Sequence, residues 1–177
     1  MKINLQMFAE PVKGSKILYL LRVLENAATN AAQIPAFQTE GTTTISKDAD
    51  STATKDGTIR TPSQAEIEIS LTTILAKGDT VIEELKSAML ADKLVEVWEV
   101  NTEVEGSGDN EGKYEATYYQ GYITSLEKSA NAEDFVEVSM DIGINGTGAT
   151  GYATLTEAQK EAAQYAFADT TKVQPAV

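Results

Sequence analysis

Asp134-Phe135-Val136-Glu137-Val138-Ser139-Met140-Asp141-Ile142-Gly143-Ile144 reads as a β-strand with two unlike faces. Successive side chains of a strand point to opposite sides of the sheet. Phe135, Glu137, Ser139 and Asp141 therefore share one side, and Val136, Val138, Met140 and Ile142 share the other. Ala65-Glu66-Ile67-Glu68-Ile69-Ser70-Leu71 repeats the pattern, with odd positions apolar and Glu66 and Glu68 on the even face. Two such strands argue for a sheet with one face in a core and an acidic face outside.

The neighbouring segments extend that sheet. Lys16–Leu24 (KILYLLRVL) is almost continuously apolar, as a strand buried on both faces would be. Phe37–Ile45 favours a strand through its threonines. Leu94–Val100 sets Leu94, Glu96, Trp98 and Val100 on one side, and Lys113–Ser125 supplies a further strand. One helix is predicted over 79–92: Thr80 with Glu83 fits a capping box, and Ile82, Leu85 and Met89 form a buried stripe. Glu25–Ala32 has weak helical periodicity ended by Pro35, and Thr156 with Gln159 caps a short helix running to about Phe167. Gly143–Gly151 reads as turns at a strand end. Residues 46–62 are polar and contain Asp56-Gly57, which suits a tight turn, so they read as a long exposed loop or an extended hairpin. Residues 103–112 form an acidic, turn-rich loop.

The expected architecture is mainly β: an antiparallel β-sandwich or barrel of six or seven strands, with one flanking α-helix and extended arms and loops. It divides into an arm (1–14), the β domain (15–168) and a tail (169–177).

Charge narrows the function. The 177 residues hold 27 Asp and Glu against 14 Lys and Arg, a net charge of −13. Between Leu94 and Asn145 there are twelve acids and two bases, which accounts for −10 of it. Affinity for nucleic acid comes from cations that displace counterions from phosphates, so this chain is a poor candidate for tight binding. Polybasic attachment to a membrane fails for the same reason, and no apolar run is long enough to span one. The opening Met1–Ala9 has one Lys and too short an apolar region for a secretory signal. Cys and His are absent, which removes thiolate chemistry, the usual triads and most zinc sites.

Remaining candidates for chemistry are thin. Asp48-Ala49-Asp50-Ser51-Thr52 begins like a calcium loop, but the positions needing Gly and a bidentate Glu are Ala53 and Ile59. Glu66 and Glu68 would stand roughly 7 Å apart, a glycosidase-like spacing that any charged sheet face also produces. Gly143–Gly148 lacks the Lys of a phosphate loop. Trp98, Tyr114, Tyr118, Tyr119 and Tyr122 concentrate aromatic surface, for which packing in a core or subunit interface outweighs ligand stacking. No catalytic residue, metal or cofactor is expected. The polar appendages make sense if they order against neighbouring copies.

Several segments, in order, carry a resemblance: Ala36–Glu40, Lys47–Arg60, Leu94–Val100, Lys113–Tyr122, Asn131–Asp134 and Gly151–Thr156. Together they resemble the major tail protein family of long, non-contractile-tailed bacteriophages, from about Val12 to Thr171. Met1–Ala9 is also similar to a short leader found on structural proteins of phages of Gram-positive hosts. The resemblance implies a virion protein, made and assembled in the bacterial host cytoplasm. It implies hexameric rings joined through strands into an inner barrel and stacked into a tail tube. The partners it implies are other copies of the chain, the tape-measure protein and viral DNA in the lumen, and tail-terminator and distal tail proteins. On that footing Glu66, Glu68, Glu96, Glu137 and Asp141 are expected to face the lumen. Lys47, Asp48, Asp50, Lys55, Asp56 and Arg60 are expected in inter-ring contacts, with Leu5 and Phe8 of the arm. Two alternatives stay open: a ring-forming relative such as a tail terminator or secretion-system tube protein, and a carbohydrate-binding or hydrolysing β-sandwich.

Overall fold

The structure, a computed structural model, describes residues 11–163. Leu5 and Phe8, most of the arm and the whole of the 169–177 tail lie outside the described residues. The strands are β1 (Ile17–Val23), β2 (Gln38–Ser46), β3 (Ala49–Thr54), β4 (Gly57–Pro62), β5 (Glu66–Ile74), β6 (Val95–Glu105), β7 (Tyr114–Ser129) and β8 (Glu137–Ala153). Two helices accompany them, α1 (Val81–Leu90) and α2 (Glu157–Ala163). Six strands form one antiparallel sheet in the order β1-β6-β7-β8-β5-β2, and β3 and β4 pair separately as a hairpin. The expected antiparallel β architecture with a flanking helix is what forms, and residues 46–62 take the hairpin form, although its two-residue turn is Lys55-Asp56 rather than Asp56-Gly57, with Gly57 opening β4 opposite Thr54.

Period-two alternation sets the core. Ile67, Ile69 and Leu71 of β5 and Val138, Met140 and Ile142 of β8 turn inward, where they meet Tyr19, Leu21 and Val23 of β1 and Val95 and Val97 of β6. Ile82, Leu85 and Ala88 of α1 close this interior from one side. Each fully buried Leu or Ile here contributes about 1.5–3 kcal/mol through removal of apolar surface from water. Both faces of β1 are buried, as its almost continuously apolar run, interrupted only by Arg22, requires. Leu18 and Leu20 pack on the opposite side of the sheet against Val100, Tyr114, Ala116 and Leu155.

Three local readings are corrected. Thr80 makes no side-chain cap on α1; the Asp79 carboxylate accepts the Val81 N–H instead, at 2.8 Å, because Thr80 already has helical backbone angles. Glu25–Ala32 is not a helix. Beyond a single 3-10 turn at Leu24–Asn26, the chain returns along β1, where Gln33 exchanges backbone hydrogen bonds with Leu21. Gly143–Gly151 is not a set of strand-end turns but the middle of β8, whose register against β7 shifts between Tyr118 and Gln120. Gly146 and Gly148 both have φ of 75° there, and a Cβ on Gly148 would meet the Tyr119 ring at 2.5 Å. Only glycine lets the strand bulge at this point, so that β8 pairs with β5 in one half and continues along β7 alone in the other. The expected cap on α2 is present: Thr156 and Gln159 exchange reciprocal hydrogen bonds of 2.9 and 3.3 Å.

Candidate assembly face

The outer face of β2, β5, β8 and the second half of β7 is a continuous polar surface. Register aligns its rows across the strands. Thr44, Glu68, Gly143 and Tyr122 form one row; Thr42, Ser70, Asp141 and Ser125 the next; Glu40, Thr72, Ser139 and Glu127 a third. Glu66 and Glu137 stand at opposite ends of the same face, and none of these rows contains a Lys or Arg. Ser70 donates to the Asp141 carboxylate at 2.7 Å, and the Thr72 and Ser139 hydroxyls lie 3.2 Å apart. The face is therefore a hydroxyl carpet studded with carboxylates, which repels polyanions. Glu66 and Glu68 border a surface depression of about 390 Å³ lined also by Ser46, Gln64 and Gly146.

The structure brings Glu66, Glu68, Glu137 and Asp141 together on this face, and separates Glu96 from them. Glu96 is only 5% exposed. Its carboxylate accepts the Arg22 Nε–H at 2.6 Å and the Tyr118 hydroxyl at 2.7 Å. Arg22 also donates to the Asn30 carbonyl and stacks over Trp98, with 5.0 Å from its guanidinium carbon to the ring centroid. β6 has the right parity for Glu96 to point outward. However, the 27–35 return segment and the Trp98–Tyr118 pair cover that part of the sheet. Glu96 is a structural ion pair and contributes no exposed charge. Glu40 and Glu127 take its place on the face. Sequence alternation could not reveal them, because their strand register follows from the bulge between Gln38 and Glu40 and from the β7–β8 pairing.

The edges of the sheet differ. On β1 the backbone is covered: the Gln38 side chain accepts the Tyr19 N–H at 3.2 Å and donates to the Tyr19 carbonyl at 2.5 Å, and Gln33 covers Leu21. Beside this clamp, the Tyr19 hydroxyl meets Thr43, which donates to Glu99 at 2.6 Å. Burial pushes the Tyr19 hydroxyl pKa up, and the nearby Glu99 carboxylate adds to the shift while the Thr43 hydrogen bond opposes it. β2, by contrast, pairs with β5 on one side only. β7 pairs with β6 only as far as Gly121, so Tyr122–Ser129 has a strand on its β8 side alone. The acidic four-strand face thus ends in a bare edge on each flank, and bare edges are templates for pairing with another chain.

An antiparallel sheet with an anionic outer face, unfinished edges and a projecting hairpin is a building block for assembly. The chain belongs to the phage tail tube protein family, whose profile it matches over residues 11–150. It is a structural protein of the phage virion, and this sets aside the carbohydrate-sandwich alternative. A tail protein of Staphylococcus phage phiMR25 is 34% identical over 139 residues, covering 77% of this chain and 72% of that one. The tail tube protein gp17.1* of Bacillus phage SPP1 is 29% identical over 136 residues, covering 77% of this chain and 50% of that one. In fold, the chain is similar to the subunit of the SPP1 tail tube, with a TM-score of 0.73, 24% identity and coverage of 94% and 93%. It is also similar in fold to a subunit of a gene transfer agent virion, with a TM-score of 0.55, 13% identity and coverage of 81% and 100%. Among the described residues, no helix is long and apolar enough to cross a membrane.

Proposed function

We propose that the chain assembles as stacked hexameric rings, with the β2-β5-β8-β7 face lining the bore through which DNA leaves the virion. The carrying observation is the pairing of an acidic, Lys- and Arg-free face with a bare edge at each side. The free edge of β2 in one copy meets Tyr122–Ser129 of the next. Repetition around a ring satisfies the unpaired backbone groups and leaves no edge. Glu66, Glu68, Glu137 and Asp141 then face the passing genome, with Glu40 and Glu127. Their charge keeps phosphates from adhering, whereas a cationic bore would hold them through counterion release. The tape-measure protein occupies the same space before ejection, and terminator and distal tail proteins meet the tube's ends. The β3–β4 hairpin, with Lys47, Asp48, Asp50, Lys55, Asp56 and Arg60, reaches toward the adjacent ring, and Leu5 and Phe8 belong to a second inter-ring element. The role is structural, without catalysis.

Negative-stain microscopy of concentrated purified protein tests this reading. Hollow tubes are expected, and removal of 46–62 should leave a folded subunit that no longer extends them. Solitary particles at every concentration would refute the assembly, and unchanged tubes after the deletion would refute the hairpin's part in it.

A further inference from the structure

We propose that Asn145 is a self-modifying site, at which the Gly146 backbone amide converts the asparagine to aspartate and isoaspartate and so adds a carboxylate to the acidic face. The chemistry needs no second copy; only its consequence for the bore rests on the tail-tube reading.

Alone among the chain's asparagines, Asn145 precedes a glycine. A side chain on the following residue would shield the backbone nitrogen that must attack, and glycine has none. The fold adds what the dipeptide by itself does not guarantee. β8 pairs with β5 only as far as Ile144, opposite Ile67, and its pairing with β7 passes from Asn145–Gln120 directly to Ala149–Tyr118. Gly146, Thr147 and Gly148 therefore bulge without a register partner on either side. An amide held in a ladder is fixed, whereas one in an unpaired segment reaches reactive geometries through small local openings. No heavy atom lies within 4 Å of the place where a Cβ on Gly146 would stand, so the attacking nitrogen is unobstructed. Asn145 is exposed, and the depression of about 390 Å³ bordered by Ile144, Gly146 and Glu66 opens beside it. Its cross-strand neighbour Gln120 donates to the Tyr118 hydroxyl at 2.5 Å. Other asparagines are held: Asn26 donates to Glu84 at 2.5 Å, and Asn101 accepts the Glu103 N–H at 3.1 Å. Ala27 and Thr102 follow them.

Water is the sole co-reactant. The Gly146 nitrogen attacks the Asn145 Cγ: a C–N bond forms, the Cγ–Nδ2 bond breaks, and ammonia leaves with the proton that the backbone nitrogen gives up. Water then opens the cyclic imide. Its attack at Cγ restores the ordinary backbone with an aspartate side chain. Its attack at the Asn145 backbone carbonyl routes the chain through the former side chain, as isoaspartate. This second product lengthens the backbone by a carbon, which a segment already bulged against Tyr119 absorbs. Strand parity places Asn145 on the side of Glu137, Ser139 and Asp141, one position beyond the Ile144–Ile67 pair and so level with Glu66. Each conversion makes a neutral position of the acidic face anionic and strengthens its repulsion of phosphates.

Purified protein kept warm at neutral pH in water enriched in heavy oxygen, then digested and sequenced by tandem mass spectrometry, provides the test. The Asn145 peptide should give two acid products, aspartate and isoaspartate, each carrying a single heavy oxygen, while Asn101 remains an amide. Conversion should run within about tenfold of the rate in a free peptide spanning 142–150, as in a segment that opens locally at little cost. A folded chain that keeps Asn145 intact while the free peptide converts would overturn the proposal. So would heavy oxygen entering this peptide equally in an Asn145→Gln protein, which would place the reaction elsewhere. The converted protein should keep its melting temperature; unfolding in step with conversion would show that the reaction belongs to the unfolded chain, and would also overturn it. The readout is taken on single subunits. Its failure therefore leaves the tube reading in place, and a chain that never forms tubes leaves the conversion in place.

Discussion

Replacing Arg22 by Met isolates the energetics of the buried ion pair. The substitution keeps most of the side chain's volume but leaves the Glu96 carboxylate with the Tyr118 hydroxyl as its one remaining polar partner. Glu96 is 5% exposed, so water cannot replace the lost cation. Breaking a buried pair from one side costs about 3–5 kcal/mol. Because 20% of the Arg22 side chain reaches solvent, the low end, about 3 kcal/mol, applies. For a domain of this size that lowers the melting temperature by roughly 6–12 °C. The reverse change, Glu96→Gln, should cost less, since it strands a cation that already touches water and retains the Trp98 ring beneath it. Arg22→Met combined with Glu96→Leu should recover most of the loss, because two apolar groups replace the pair without leaving a charge. Urea denaturation of the wild type, Arg22→Met, Glu96→Leu and the double variant closes the double-mutant cycle. An Arg22→Met cost below about 1 kcal/mol, the range of a solvated surface pair, would refute the burial argument. It would also return Glu96 to the exposed acids.

Close backbone approaches set a second prediction. A Cβ on Gly121 would stand 2.2 Å from the Gly143 carbonyl oxygen, so Gly121→Ala should disrupt β7–β8 pairing and lower the urea midpoint more than Gly41→Ala, whose neighbour is the Tyr19 ring. A smaller effect at Gly121 than at Gly41 would contradict the register. Glu66→Lys with Glu68→Lys should change stability by no more than about 0.5 kcal/mol, as for other exposed sites. Assembled tubes of that variant should retain DNA in a salt-dependent filter assay where the wild type does not. Alkaline titration gives the fourth. Burial raises the hydroxyl pKa of Tyr19, Tyr118 and Tyr119 above the ordinary 10.0. The unfolded chain then releases protons first, so stability is full below about pH 10 and falls as pH rises through the folded values. Denaturation series at rising pH, with Tyr19→Phe losing part of that slope, would check it.

Period-two alternation in 65–71 and 134–144 was enough to establish a β fold with an apolar inside and an acidic outside, because side-chain parity is a local property of the strand. The polar run with Asp56-Gly57 likewise disclosed a hairpin, and family-wide similarity along the chain disclosed a tail-tube protein. Neither could locate Glu96. Its parity points outward like that of Glu68, yet segments distant in sequence, Arg22 at one end and Tyr118 at the other, bury and neutralise it. The same limit hid Glu40 and Glu127, whose place depends on a bulge and on which strands become neighbours. Alternation says which side of a strand a residue takes. Only the assembled sheet decides whether water or another part of the chain waits on that side, because burial is a property of all the strands together.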